Sequence, residues 1–198
     1  MTAQLYSYVV QHDHGWAPNP QGKYCSLVYC KFAKSKAKRN LVESIRKEDW
    51  VLGTGGSGPH SSGHGTILYL MRVDEKISLE TYLNEPRFEG RLDRKNLRLG
   101  NQFALVSSHF FYFGRNAVPL QAFSPNLSAA NLEKRGPAYR RDLPPSQVEK
   151  LIGWFERTYA PGIHGEPCSP LPEWSPTVSR ARVDLQRIGK CRTSTACR

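Results

Sequence analysis

The sequence predicts an α+β protein, a small twisted or barrel-like mixed sheet with peripheral helices. Three observations carry that expectation. Strand-like runs alternate with short helices and long loops, and no βαβ crossover of regular length occurs. Thr66–Val73 is rich in β-branched and aromatic residues and lies between Gly65 and Asp74, a plain strand signal. Gln147–Tyr159 sets Val148, Leu151, Ile152 and Phe155 on one helical face, opened by Pro144-Pro145-Ser146 and stopped by Pro161-Gly162.

The remaining elements follow in order. Leu5–Val10 reads as the first strand, and His12–Gly22 as a loop, since Gly15, Pro18, Pro20 and Gly22 oppose regular structure. Cys25–Phe32 is a short apolar run with strand character, and Lys38–Lys47 fits a short helix presenting Leu41, Val42 and Ile45. Asp49–Gly53 reads as a strand entering a glycine-rich loop over Gly53–Gly65. Ser78 is placed to cap a helix that Pro86 ends. The aromatic stretch Asn101–Gly114 reads as one central strand or a hairpin-like pair. Residues 1–164 are expected to form one domain, and 165–198 a basic tail rich in Pro, Ser and Arg.

Charge narrows the partners. Twenty-eight Lys and Arg against 17 Asp and Glu leave a net +11. The surplus is concentrated in Lys31–Lys47 and in Arg180–Arg198, a pattern suited to nucleic acid or nucleotide phosphate. No window of about 18 apolar residues is present, so no membrane partner is expected. Met1–Val10 lacks the pattern of a secretory signal, and with five cysteines this suggests reduced thiols in a cytoplasm.

Polar chemistry is densest over Gln11–Lys31. His12, Asp13 and His14 are delivered to a stiffened loop, and the next strand brings Cys25, Cys30 and Lys31. Antiparallel pairing of the two strands would set Asp13 beside Cys25. A carboxylate serves as base or ligand, and a thiol made nucleophilic by Lys31 or the histidines completes a candidate catalytic set of Asp13, Cys25, Cys30 and Lys31. The bland alternative is an Asp capping its own turn and a core Cys. For nucleotide or base binding the candidates are His12, His14, Asn19, Trp50, Thr54, His109 and Tyr112, the aromatic ones by stacking. The glycine-rich loop lacks the GxxxxGK[ST] spacing of a phosphate cradle and precedes a strand rather than a helix. Cys25 and Cys30 are too loosely spaced for a zinc knuckle, and His60 and His64 lack acidic neighbours, so no metal site is assigned and the cofactor stays unknown.

Several runs resemble a known family. Tyr8-Val9-Val10-x-x-Asp13-x-Gly15-x-Ala17-Pro18-Asn19-Pro20, then Cys25 and Cys30-Lys31, resemble the nucleotide modification associated domains, in particular the second type. Asp49–Gly55, Leu68–Val73 and Ser107–Gly114 extend the likeness over about Tyr6 to Pro167. The resemblance implies a phage or bacterial setting and a part in modifying or recognising altered bases, with Asp13 and Cys25 or Cys30 as the polar residues of interest. The order of elements is also similar, more distantly, to the PUA-like group with its EVE and ASCH domains, which implies a barrel-like base reader. Three functions stay open: an enzyme on nucleotide bases, a non-catalytic reader of modified DNA or RNA, or a partner protein docking through its basic tail.

Overall fold

The computed structural model describes residues 3–28, 40–96, 102–123, 132–133 and 138–177. Its first strand, β1 (Leu5–His12), is buried from Leu5 to Val10, which marks an interior strand covered on both faces. It runs parallel to β4 (Trp50–His60), with Leu5 opposite Trp50 and Val10 opposite Gly55. β5 (Thr66–Arg72) pairs antiparallel with β4, and β8 (Phe110–Tyr112) antiparallel with β5. Three two-residue strands, β9 (Val118–Pro119), β10 (Tyr139–Arg140) and β11 (Gly162–Ile163), complete a seven-stranded sheet of order β10-β1-β4-β5-β8-β11, with β9 on β5.

A second sheet of four antiparallel strands has the order β2-β3-β7-β6, from β2 (Asn19–Gln21), β3 (Tyr24–Leu27), β6 (Glu75–Ser78) and β7 (Phe103–Ser107). The sheets do not close into a barrel. They pack face to face: Tyr6, Tyr8, Val10, Tyr69, Met71 and Tyr112 of the larger meet Cys25, Leu27 and Leu105 of the smaller in one core. The other face of the larger sheet is covered by α4 (Pro145–Thr158), whose Val148, Leu151 and Phe155 join Leu52, Leu70 and Phe111. The outer face of the smaller sheet is covered by α2 (Leu79–Asn84), where Tyr82 packs with Phe88, Ala104 and Val106. The result is a helix, two sheets and a helix in layers.

Local chemistry sets the helix boundaries. Ser78 Oγ accepts from the Thr81 amide, so the expected cap forms, and α2 stops before Pro86. The helix expected over Lys38–Lys47 shrinks to α1 (Leu41–Ser44), opened by Asn40 and Glu43 in a reciprocal capping box. Leu120–Phe123 forms the short α3.

Three local expectations differ from the structure. The glycine run is not a loop: β4 continues through it to His60, because glycine there lets neighbours close in. A Cβ on Gly53 would meet the Tyr69 ring, and one on Gly55 the Gly63 carbonyl and Thr66 hydroxyl. The loop after β1 contains strand β2 despite Pro20; as an edge strand it leaves that residue's missing N–H without cost. Phe103–Phe113 is neither one strand nor a hairpin, since β7 and β8 belong to different sheets. The crossing at Ser108 is held by its amide and hydroxyl, both donating to Asp74 Oδ2 at 2.7 Å.

Among the described residues no helix is long and apolar enough to cross a membrane. Residues 165–177, read from sequence as the start of the tail, form an arm hydrogen-bonded along the loop after β1. Its apolar content is too low to show periodicity, and backbone hydrogen bonds rather than a hydrophobic face hold it.

Gly55→Ala is expected to lower unfolding stability by about 1–3 kcal/mol through overpacking. Gly153→Ala, within α4 and facing only the flexible Arg157 side chain, should raise it by about 0.5–1 kcal/mol. Urea denaturation of the two variants checks both signs.

Candidate functional site

The parallel pairing of β1 and β4 brings their carboxyl ends together, the edge at which open sheets commonly hold ligands. After a register shift past Val10, His12 lies opposite His60, and the Asp13 amide donates to the His60 carbonyl at 2.8 Å. The chain then turns at Gly15, whose φ of +75° favours glycine, and where a Cβ would strike the Trp174 indole.

Asp13 is completely buried. Its carboxyl accepts the Tyr112 hydroxyl at 2.7 and 2.8 Å and the Cys168 amide at 2.9 Å. Burial pushes the Asp13 pKa up, and these donors hold it partly down. Burial and the neighbouring Asp13 charge raise the Tyr112 phenol well above its ordinary range, so it stays a donor. The Cys168 thiol is pushed up to about 12, by burial first and Asp13 second.

Beside this carboxyl three imidazoles gather. Ring centroids lie 5.9 Å apart for His12 and His14, 5.8 Å for His12 and His60, and 5.5 Å for His14 and His60. His14 Nδ1 lies 2.7 Å from the Ser169 carbonyl, which can only accept, so that nitrogen carries the proton. Burial lowers the His12 pKa, and His14 and His60 lower it further.

Asn19 is fully buried in β2, and neither its carboxamide nitrogen nor its oxygen has a hydrogen-bond partner. Its own backbone carbonyl is well held: buried Arg91 donates to it and to the carbonyls of Gln21 and Tyr24. Below, Ser26 and Tyr82 donate to the buried Asp93 carboxylate. The arm brackets the same loop, with Ser169 N on the Asp13 carbonyl, Gln21 Nε2 on the Ser175 carbonyl, and Gly22 N on the Pro176 carbonyl. The buried Trp174 indole N–H is also unpartnered.

The remaining residues singled out from sequence fall elsewhere. Cys25 lies near Asp13, though through packing of the two sheets rather than through pairing of consecutive strands, since β1 and β3 belong to different sheets. It is fully buried in the core between the sheets, where burial pushes its thiol far up and Asp93 and Asp13 add to this against Arg91. Such a thiol stays protonated and is no nucleophile as it stands. Thr54 is buried, its hydroxyl donating to the Tyr8 carbonyl at 3.3 Å. Trp50 and His109 meet edge-on at 5.6 Å at the opposite end of β4, and His109 faces Glu156 at 3.2 Å. Cys30 and Lys31 lie outside the described residues, as does the tail from residue 178. His60 and His64 are not a pair, because His64 bonds Glu133 at 2.9 Å. Among the described residues no three His, Cys, Asp or Glu side chains are arranged to hold a metal ion.

Sequence reasoning missed Cys168, Trp174 and Arg91. Arg91 had no local signal, and the other two sat in a segment without periodicity.

One mixed and one antiparallel sheet, with polar groups collected at the end of the parallel strand pair, define an α+β domain with a candidate ligand-binding edge. Residues 2–96 match the family described as nucleotide modification associated domain 2. That stretch holds Asp13, Asn19, Cys25 and all three clustered histidines. The likeness to the PUA-like group is not confirmed, and no curated protein and no solved structure matches the chain.

Asp13 makes stability depend on pH. The folded chain holds this proton more tightly than the unfolded chain, whose carboxyl titrates near 3.8. The contribution is complete below that value and is lost as pH rises through the elevated folded pKa. As pH rises above about 4, wild type should therefore lose stability relative to Asp13→Asn, as followed by urea unfolding. Equal slopes would show that the Asp13 carboxyl titrates normally.

Proposed function

We propose that this protein handles a base of a nucleotide or nucleic acid at the loop after β1, in the modification or processing of altered bases. One observation carries the reading: the Asn19 carboxamide is completely buried with donor and acceptor both unpaired. Leaving such a group unpaired costs about 1–3 kcal/mol, so an unfilled partner accounts for its presence in a well-packed interior. A carboxamide offers one donor and one acceptor side by side, the complement of a base edge such as that of adenine. In this reading the arm over residues 165–177 moves aside to admit the base. Asp13, a buried carboxyl with an elevated pKa, is the group that gives or takes a proton. The net charge of +11 favours approach of a phosphate-bearing ligand.

A second reading, a non-catalytic reader of modified DNA or RNA, is favoured by one specific feature. Cys25, the nucleophile nominated from sequence, is sealed and protonated.

Asn19→Leu separates binding from folding. The branched shape is retained while the unpaired polar atoms go, so thermal stability should rise or stay level while affinity for deoxynucleoside monophosphates and short single-stranded DNA falls at least about tenfold. Calorimetry and fluorescence anisotropy measure both. A variant that binds as wild type does would remove Asn19 from the site and the argument with it.

A further inference from the structure

We infer that His12, His14 and His60 form a phosphate-binding corner that takes up a proton when a nucleotide's phosphate is bound. The inference rests on the preceding reading that the ligand is a nucleotide, and it adds which part of that ligand this corner holds. Three imidazoles with centroids 5.5 to 5.9 Å apart are held at one spot by backbone pairing: His12 and His60 face each other across parallel strands. His14 is fixed by the Ser169 carbonyl, so its second nitrogen is where a further proton goes.

Among the described residues no carboxylate forms an ion pair with the three rings. Among the described residues, burial and then the charges of His14 and His60 bear on His12. The neighbouring Asp13 carboxyl is turned inward onto Tyr112 and the Cys168 amide. On the arm, Glu166 bonds Arg115 at 2.9 Å, the Cys168 thiol stays protonated, and Glu173 is exposed. In the turn after β4, His64 is engaged by Glu133. Burial first, and the charges of His14 and His60 second, make His12 give up its proton easily. A dianion among them reverses this, since each protonated ring then donates a charge-assisted hydrogen bond to a phosphate oxygen. A metal ion would instead need three ring nitrogens converging on one point, and no such group exists among the described residues.

Phosphate binding should therefore draw protons in. Isothermal titration with inorganic phosphate and with a deoxynucleoside 5′-monophosphate, in buffers of different ionisation enthalpy, is expected to report net proton uptake. Affinity should fall at least about tenfold between roughly pH 5.5 and 8, across the ordinary histidine range. In NMR titrations the imidazole resonances of all three residues should move to higher pKa with phosphate present. His12→Gln and His60→Gln, both at exposed positions, should fold normally, lose most of the pH dependence and weaken phosphate binding. The matching nucleoside tells the two ideas apart. If nucleoside and nucleotide bind equally at every pH, the base reading stands and the phosphate corner falls; if neither binds, both fall. Zinc shifting the three imidazoles while phosphate moves none also overturns the assignment.

Discussion

The polar end of this protein depends on one buried carboxyl. Asp13 sits where β1 leaves its sheet, and its two oxygens gather a phenol from β8 and an amide from the arm. Three distant segments thus meet on a group that water does not reach. Hydrogen bonds to such a group are stronger than exposed ones, and losing a donor leaves a desolvated charge behind. The same burial that makes Asp13 a clasp also raises its pKa, so structural and chemical roles share a cause.

Around that clasp the architecture is asymmetric. Parallel pairing of β1 with β4 places their first residues, Leu5 and Trp50, at one end and His12 with His60 at the other. Glycines at 53 and 55 let β4 lie close under its neighbours. What composition suggested as a pliable loop is a tightly packed strand, and it delivers His60 to the histidine cluster. Trp50 and His109 are carried to the far end, against α4 and Glu156.

Two buried polar centres flank the β2–β3 hairpin and differ in kind. Around Arg91 and Asp93 the guanidinium donates to the Gln21, Asn19 and Tyr24 carbonyls and to the Ser26 hydroxyl, and the Tyr82 hydroxyl donates to Asp93. That network is a fastening. The Asn19 carboxamide, on the same hairpin, is left unsatisfied. The fold thus satisfies its most expensive buried cation and leaves a neighbouring amide unpaired.

Sequence alone determined the features that depend on neighbours along the chain. The β-branched and aromatic content of Thr66–Val73, the apolar face of α4, the Ser78 cap and the polar character of His12–Asn19 are all local, and all were legible. The family likeness was legible as well, because it resides in short runs of residues. Tertiary structure alone decided which strands share a sheet, that Asp13 and Cys25 meet through face-to-face packing rather than pairing, and that residues 165–177 close over the loop. Those outcomes rest on contacts between residues as far apart as Asp13 and Cys168, and no periodicity encodes them. Burial itself is such a property: it turned Cys25 from a candidate nucleophile into a protonated core thiol, and it set Asp13, the candidate base, in a place that water does not reach.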